Sequence, residues 1–164
     1  MDSLDSEKRA LRALVRARMP APGSEAFVAA SVAAQERLAS SSLAAALQAA
    51  GKEICYPVVV PGARCLEFRR AAGVFVSGAL GVEEPTGSPV ALSDIDLVVA
   101  PAAAVDARGV RLGRGKGHYD ATLAACRAFP VALVFESQLV PEVPLGEHDR
   151  RVWAICTEAR LLLL

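Results

Sequence analysis

Gly113, Gly115 and Gly117 alternate with Arg114 and Lys116, directly after Arg111 and Leu112. Glycine allows positive φ and a close approach of the backbone to a ligand, so successive N–H groups can converge on one anion. Arg111, Arg114 and Lys116 add charge that backbone dipoles alone do not supply. Together they suit a polyphosphate. The run is not a Walker A loop, because Lys116 is followed by Gly117 and not by Ser or Thr, and its glycine spacing is not that of the dinucleotide fingerprint. Spacing alone fits a basic surface turn between a strand and a helix equally well. His118, Tyr119 and Asp120 complete the run, and Asp106 and Gly109 precede it.

Several elements must position this loop. Leu97 to Ala100 is a short apolar run between Asp96 and Pro101, as expected of a buried central strand. Ligands of open α/β sheets collect beyond the carboxyl ends of such strands. Gly117 to Ala128 reads as a helix with Tyr119, Leu123 and Cys126 inward, which places the basic loop at a helix N-terminus, where anions are favoured. Val131 to Phe135 and Arg151 to Thr157 are further strands.

The N-terminal part opens with a helix over residues 4–19, where Leu4, Leu11, Leu14, Val15 and Met19 form one stripe and Pro20 and Pro22 end it. Lys8 and Arg12 stand i,i+4 on that helix and project from one face. The spacing there suits a solvated face. A second helix is expected after Ser24, its N-cap, to about Ala39, and a third from Leu43 to Ala50 with Gly51 at C′. Lys52 to Val60 is β-like, with Pro57 confined to an edge or bulge. Leu66 to Arg70 and Val74 to Ser77 are short strands, Gly78 to Pro89 is a loop, and Leu161 to Leu164 has no assigned structure.

The chain has 164 residues and no net formal charge. That length makes one domain, residues 1–164. A balanced charge provides no field for nucleic acid or an anionic membrane, and no apolar run reaches the roughly 20 residues of a spanning helix. No secretory signal is visible, so a cytoplasmic protein is expected. Cys55, Cys65, Cys126 and Cys156 lie apart without a C-x-x-C pair, which fits reduced thiols. Helices alternating with strands predict a three-layer α/β domain with a largely parallel sheet.

Asp94-Ile95-Asp96-Leu97-Val98-Val99-Ala100-Pro101, Val105-Asp106-Ala107-Arg108-Gly109-Val110 and the run Arg111 to Asp120 closely resemble the signature of the 5-formyltetrahydrofolate cyclo-ligases. Lys8-Arg9-Ala10-Leu11-Arg12, Glu84-Pro85, Glu147-His148-Asp149 and Cys156-Thr157-Glu158 are similar to flanking segments of that family. The resemblance implies the fold that cyclo-ligases share with certain sugar-phosphate isomerases and CoA transferases. It also implies closure of 5-formyltetrahydrofolate to 5,10-methenyltetrahydrofolate at the expense of ATP, with Mg2+ and no macromolecular partner, in a monomer.

Under this resemblance Lys8, Arg12 and the run Arg111, Leu112, Gly113, Arg114, Gly115, Lys116, Gly117, His118 and Tyr119 bind ATP. Arg111 and Lys116 act in catalysis. Arg114 to Tyr119 also face the folate, and Asp120 and Asp149 take the metal. From the residues alone, Asp120 is an acid of a first helical turn and Asp149 a loop acid beside Arg150. The family's pattern has a strand and a substrate-binding Glu after the helix at 25–39; here Leu38 and Ala39 lead through Ser40 to Ser42 straight to Leu43. The first strand and that Glu are expected to be missing, and the folate to bind weakly. His118 stands where many relatives have an aromatic residue. The alternative is a shortened paralogue that binds nucleotide or folate without turnover.

Overall fold

The structure is a computed structural model that describes residues 3–18, 51, 53–70, 75–77 and 83–164. The helices expected at 24–39 and 43–50, and the junction between them, lie outside the described residues. Gly51 has φ 68°, the left-handed conformation expected at a helix C′ position.

Helix α1 (Ser3–Arg18) forms as its apolar spacing predicts. Val15 is buried and Leu11 half-buried against Ala104, Val110, Leu112, Val140 and Val143, whereas Leu14, placed on the same stripe, is exposed. An antiparallel sheet follows, made of β1 (Cys55–Val58), β2 (Glu67–Arg70) and β5 (Pro89–Val90) in the order β1-β2-β5. Pro57 lies in β1, which among the described residues pairs with β2 alone, so the missing N–H falls on an edge strand of the described sheet, as expected.

Strand β3 (Phe75–Ser77) pairs antiparallel with β4 (Glu83–Pro85). The stretch expected as a loop from Gly78 to Pro89 therefore carries β4 and the start of β5. β3 satisfies the backbone of β4 from just upstream and β2 that of β5 from further back, pairings that the Gly- and Pro-rich composition does not reveal.

The main sheet has the order β11-β10-β9-β6, with β6 (Leu97–Pro101), β9 (Phe129–Leu133) and β10 (Ala154–Cys156) parallel and β11 (Leu161–Leu163) antiparallel at one edge. Apolar residues cover both faces. Ala132, Ile155 and Leu162 pack with Ala102, Val105, Val134 and Val152 on one side, and Val131, Ala154 and Cys156 with Leu97, Leu133 and Leu161 on the other. Burial on both faces accounts for the uninterrupted apolar runs of these strands.

The chain is thus α/β, with a mixed main sheet and separate antiparallel pairs. The unassigned C-terminal leucines are strand β11.

Helix α2 (His118–Ala125) joins β6 to β9 together with the hairpin of β7 (Ala104–Val105) and β8 (Arg111–Leu112). Tyr119, Leu123 and Cys126 pack against Leu66, Phe68, Ile95 and Val98, the inward face expected. The helix ends at Ala125, three residues early, because Pro130 holds Phe129 extended and the Phe129 N–H must reach the carbonyl of Asp96 at 2.7 Å. Accordingly β9 starts at Phe129 and not at Val131. The strand expected over 151–157 is confined to Ala154–Cys156, since the Val152 N–H turns aside to the carbonyl of Gly109 at 2.8 Å.

Candidate active site

The β7–β8 hairpin delivers the glycine-rich loop. Asp106, inside its turn, is buried and accepts hydrogen bonds from the N–H groups of Arg108 at 2.9 Å, Val110 at 3.1 Å and Val143 at 2.9 Å. The Arg108 guanidinium adds two more at 3.1 and 2.7 Å. Burial opposes the charge on Asp106, yet the bonds from Arg108, Val143 and Val110 outweigh it and lower the carboxyl pKa. Gly109 closes the turn at φ 75°, where an added Cβ would lie 2.3 Å from the carbonyl oxygen of Val152. Only glycine fits that position.

After β8 the chain passes through Gly113 to Gly115, at φ 100°, and Gly117, at φ 73°. Gly117 is the N-cap of α2, and its carbonyl accepts the Ala121 N–H at 3.0 Å. Arg114 and Lys116 on this loop are exposed and form no ion pair with a carboxylate among the described residues. Two unneutralised cations thus sit at the positive end of a helix dipole.

Helix α1 lies across the loop. Arg12 Nε donates to the Gly113 carbonyl at 2.9 Å, and Lys8 Nζ is ion-paired with Asp149. Both cations project from one face, as the i,i+4 spacing predicts, and the packing of Leu11 and Val15 holds that face toward the site.

The side chains of Arg111 and Leu112 point inward. Leu112 is 1 % exposed and belongs to the core. Arg111, with a side chain 2 % exposed, donates from Nη2 to Asp120 Oδ1 at 2.8 Å and from Nη1 to the Pro101 carbonyl at 3.3 Å. Its guanidinium lies 5.7 Å from the Tyr119 ring centroid, in cation–π range, while its buried Nε has no partner. Burial raises the pKa of the Tyr119 phenol, against the opposing charges of Arg111 and Arg114.

His118 Nδ1 is 3.2 Å from the Arg64 carbonyl, a contact that requires the proton on Nδ1. Thr122, one turn on, is fully buried; its hydroxyl donates to the His118 carbonyl at 2.7 Å and accepts the Leu66 N–H at 2.9 Å. The start of α2 is thereby tied to the segment before β2.

Asp120 and Asp149 come to one loop. Asp120 Oδ1 also accepts the Arg150 N–H at 3.2 Å, and Asp149 Oδ2 accepts the Gly146 N–H at 2.6 Å. A Cβ on Gly146 would lie 3.1 Å from Leu4 Cδ2 and 3.2 Å from Asp149 Oδ2, so a side chain there would press on both α1 and the Asp149 carboxylate. Among the described residues no group of three or more His, Cys, Asp or Glu is gathered for a metal. Two carboxylates are nevertheless a fitting set for magnesium when phosphate oxygens and water complete the shell.

Sequence reasoning missed Gly146, Thr122 and the Arg150 N–H. Only Gly146 carries a signal, a glycine standing just before Glu147-His148-Asp149.

Fold and site together define an α/β protein with a cationic glycine loop at a helix N-terminus, the end of a helix where the dipole favours negative charge. The model of the 5-formyltetrahydrofolate cyclo-ligase family matches residues 5–158, and the chain belongs to that family. It is 37% identical over 93 residues to the 5-formyltetrahydrofolate cyclo-ligase of Mycolicibacterium smegmatis, a match covering 54% of this chain and 48% of that one. The Mus musculus cyclo-ligase is 41% identical over 64 residues, covering 35% and 32%. That of Escherichia coli K12 is 32% identical over 121 residues, covering 68% and 66%. The chain thus matches about half the length of the first of these relatives and about a third of the second.

Two solved structures share the fold. The 5,10-methenyltetrahydrofolate synthetase of Aquifex aeolicus superimposes with a TM-score of 0.77 at 24% identity, covering 95% of this chain and 92% of that one. The Mycoplasma pneumoniae synthetase superimposes at 0.68 and 16% identity, covering 93% and 99%.

Proposed function

We propose that this chain catalyses the ATP-dependent closure of 5-formyltetrahydrofolate to 5,10-methenyltetrahydrofolate, releasing ADP and phosphate. The observation that carries this reading is the loop of residues 113–117, whose Arg114 and Lys116 are exposed without an ion pair among the described residues, in a chain of the cyclo-ligase family where Arg111 holds Asp120 and Lys8 holds Asp149.

ATP supplies the phosphoryl group that makes the formyl oxygen a leaving group for attack by N10, and magnesium screens the transferring charge. The protein's part is positioning and fixed charge. Arg114 and Lys116 hold phosphate oxygens, Lys116 following the charge that develops in transfer, and the N–H groups around Gly113, Gly115 and Gly117 add donors. Lys8 and Arg12 close over the phosphates from α1. Asp120 and Asp149 would hold the magnesium ion, and Lys8, ion-paired with Asp149, would be placed beside the phosphates. Arg111 acts from beneath: it fixes Asp120 and adds positive charge to the floor of the site. Leu112 contributes only backbone, and His118 and Tyr119 line the folate side.

The domain over residues 1–164 belongs with the architecture shared by cyclo-ligases, certain sugar-phosphate isomerases and CoA transferases, without its first strand. It acts as a cytoplasmic monomer on a small molecule, with neither nucleic acid nor membrane as partner. No helix among the described residues is long and apolar enough to cross a membrane.

A second reading, a shortened paralogue that binds nucleotide or folate without turnover, is favoured by the direct passage from Leu38 to Leu43, which leaves no place for the family's substrate-binding Glu. The two readings separate in one cuvette. ATP, magnesium and 5-formyltetrahydrofolate added to the protein should raise the near-ultraviolet absorbance of the methenyl product. ATP binding by calorimetry with no such rise would favour the second reading and sink the first. Because the lost Glu contributes uniform binding, the first reading expects a raised folate KM with kcat retained.

A further inference from the structure

Alongside the C-terminal half of α2 lies a groove of about 370 Å³, lined by Leu123, Pro130 and Trp153 and by the arginines Arg127, Arg150 and Arg151. That volume falls among the roughly 300 to 1,000 Å³ of small-molecule sites. Five arginines elsewhere in the fold, Arg69, Arg70, Arg108, Arg111 and Arg160, each have a carboxylate partner. Arg127, Arg150 and Arg151 are exposed and pair with no carboxylate among the described residues.

The groove also offers a flat aromatic face. Trp153 is 56% exposed and stands edge-on to Phe129, with ring centroids 5.3 Å apart, so its indole is braced without being covered. Its backbone is fixed on both sides: the Trp153 N–H donates to the Pro130 carbonyl at 2.9 Å, and the Trp153 carbonyl accepts the Leu164 N–H at 3.0 Å. An indole held in this way loses little freedom on receiving a ring. Helix α2, eight residues and so about 12 Å long, separates the Gly117 N-cap from Cys126, which lines the groove. None of residues 113–117 lines it.

We infer that this groove is a second ligand site, separate from the glycine loop, and that it binds a purine nucleoside monophosphate. Guanidinium forks match phosphate oxygens with paired hydrogen bonds, and Arg127, Arg150 and Arg151 bring three of them to one phosphate dianion. The indole takes the base by stacking, and a two-ring purine covers more of it than a pyrimidine does. Leu123 and Pro130 add apolar surface beside the indole, which favours a ligand with a ring over a small inorganic anion. An acidic peptide would satisfy the arginines and leave the indole without a planar partner. A nucleic-acid strand needs successive stacking platforms, and this groove has one. The site stands apart from the cyclo-ligase reading, because none of its lining side chains enters that mechanism.

Trp153 is the chain's one tryptophan, so indole fluorescence reports on this groove. Titration of the full chain with guanosine 5′-monophosphate should quench that fluorescence, and Lys116→Ala, whose change lies in the glycine loop, should leave the quenching as it is. The double variant Arg127→Gln, Arg151→Gln should bind the nucleotide at least tenfold more weakly, with a melting temperature within about a degree of the parent, as both side chains are exposed. In calorimetry, ribose 5-phosphate, which lacks the base, should bind the parent at least tenfold more weakly than the nucleotide, and Trp153→Leu should bring the two ligands to equal affinity. The inference is overturned if the nucleotide neither quenches nor binds the parent, if the double variant binds it equally well, or if Lys116→Ala abolishes the quenching. It is equally overturned if ribose 5-phosphate or inorganic phosphate binds as tightly as the nucleotide. Quenching needs no turnover, so a chain that binds the nucleotide but makes no methenyl product refutes the cyclo-ligase reading alone.

Discussion

Two turns of the same segment, both built from glycine and arginine, have opposite characters. In the turn from Asp106 to Gly109 the carboxylate is buried and every oxygen has donors, and its arginine is neutralised by Asp106 and Glu142. In the loop from Gly113 to Gly117 the cations face solvent, and an added Cβ on Gly117 would meet nothing within 4 Å. The first turn is finished; the second is held open. A closed hydrogen-bond account marks scaffold, and cations left without counter-charge on a backbone that only glycine adopts mark a place for a ligand.

Substitutions in the finished turn should damage the fold and spare the chemistry of whatever stays folded. Asp106→Ala leaves the buried N–H groups of Val110 and Val143 without acceptors and should cost about 3 to 5 kcal/mol, read from urea unfolding. Its pH dependence sharpens the point. The pKa values of Asp106 and Glu136 are lowered in the fold, where burial is outweighed by Arg108, Val143 and Val110 for the first, and by Thr157 and Arg160 for the second. The stability they contribute is therefore complete above the ordinary carboxylate range of about pH 4 and is lost as pH falls through the depressed values. An Asp106→Asn chain should show a shallower loss of stability in acid. A slope as steep as the parent's would mean that other carboxylates govern acid unfolding.

Gly109→Ala comes next, at about 3 kcal/mol, because left-handed strain adds to a collision with a backbone oxygen that cannot rotate away. On the open loop the effects move to ligands. Lys116→Ala should change unfolding by less than about 0.5 kcal/mol yet weaken ATP at least tenfold, about 1.4 kcal/mol, in calorimetry. Equal ATP affinity in the two proteins would break the comparison.

Asp149→Asn should raise the magnesium concentration needed for half-maximal turnover more than it raises the folate KM; an unchanged magnesium titration would remove Asp149 from the metal site. Gly117→Ala is the smallest change, about 1 kcal/mol of backbone strain with no collision.

Much of this was legible in the chain. Of the alternate glycines 113, 115 and 117, the last two take the positive φ that the pattern allows and Gly113 does not, and Lys8 and Arg12 share a helix face by arithmetic alone. The burial of Arg111 was not legible. Its charge reads as exposed until Asp120 and the Pro101 carbonyl are seen to enclose it. The bridging loop was hidden for the same reason: Arg150 reaches Asp120 across 30 positions and Lys8 reaches Asp149 across 141, distances over which no local pattern extends. Four consecutive leucines carry no periodicity, so only pairing with β10 makes β11 a strand.

The measurement that bears most directly on the account is turnover followed at the methenyl absorbance band, with the parent chain and Lys116→Ala compared at saturating magnesium. The account predicts ATP-dependent product from the parent and at least a tenfold lower kcat/KM for ATP in a variant of unchanged melting temperature. Product formed at equal rates by both, or by neither while both remain folded, would contradict it.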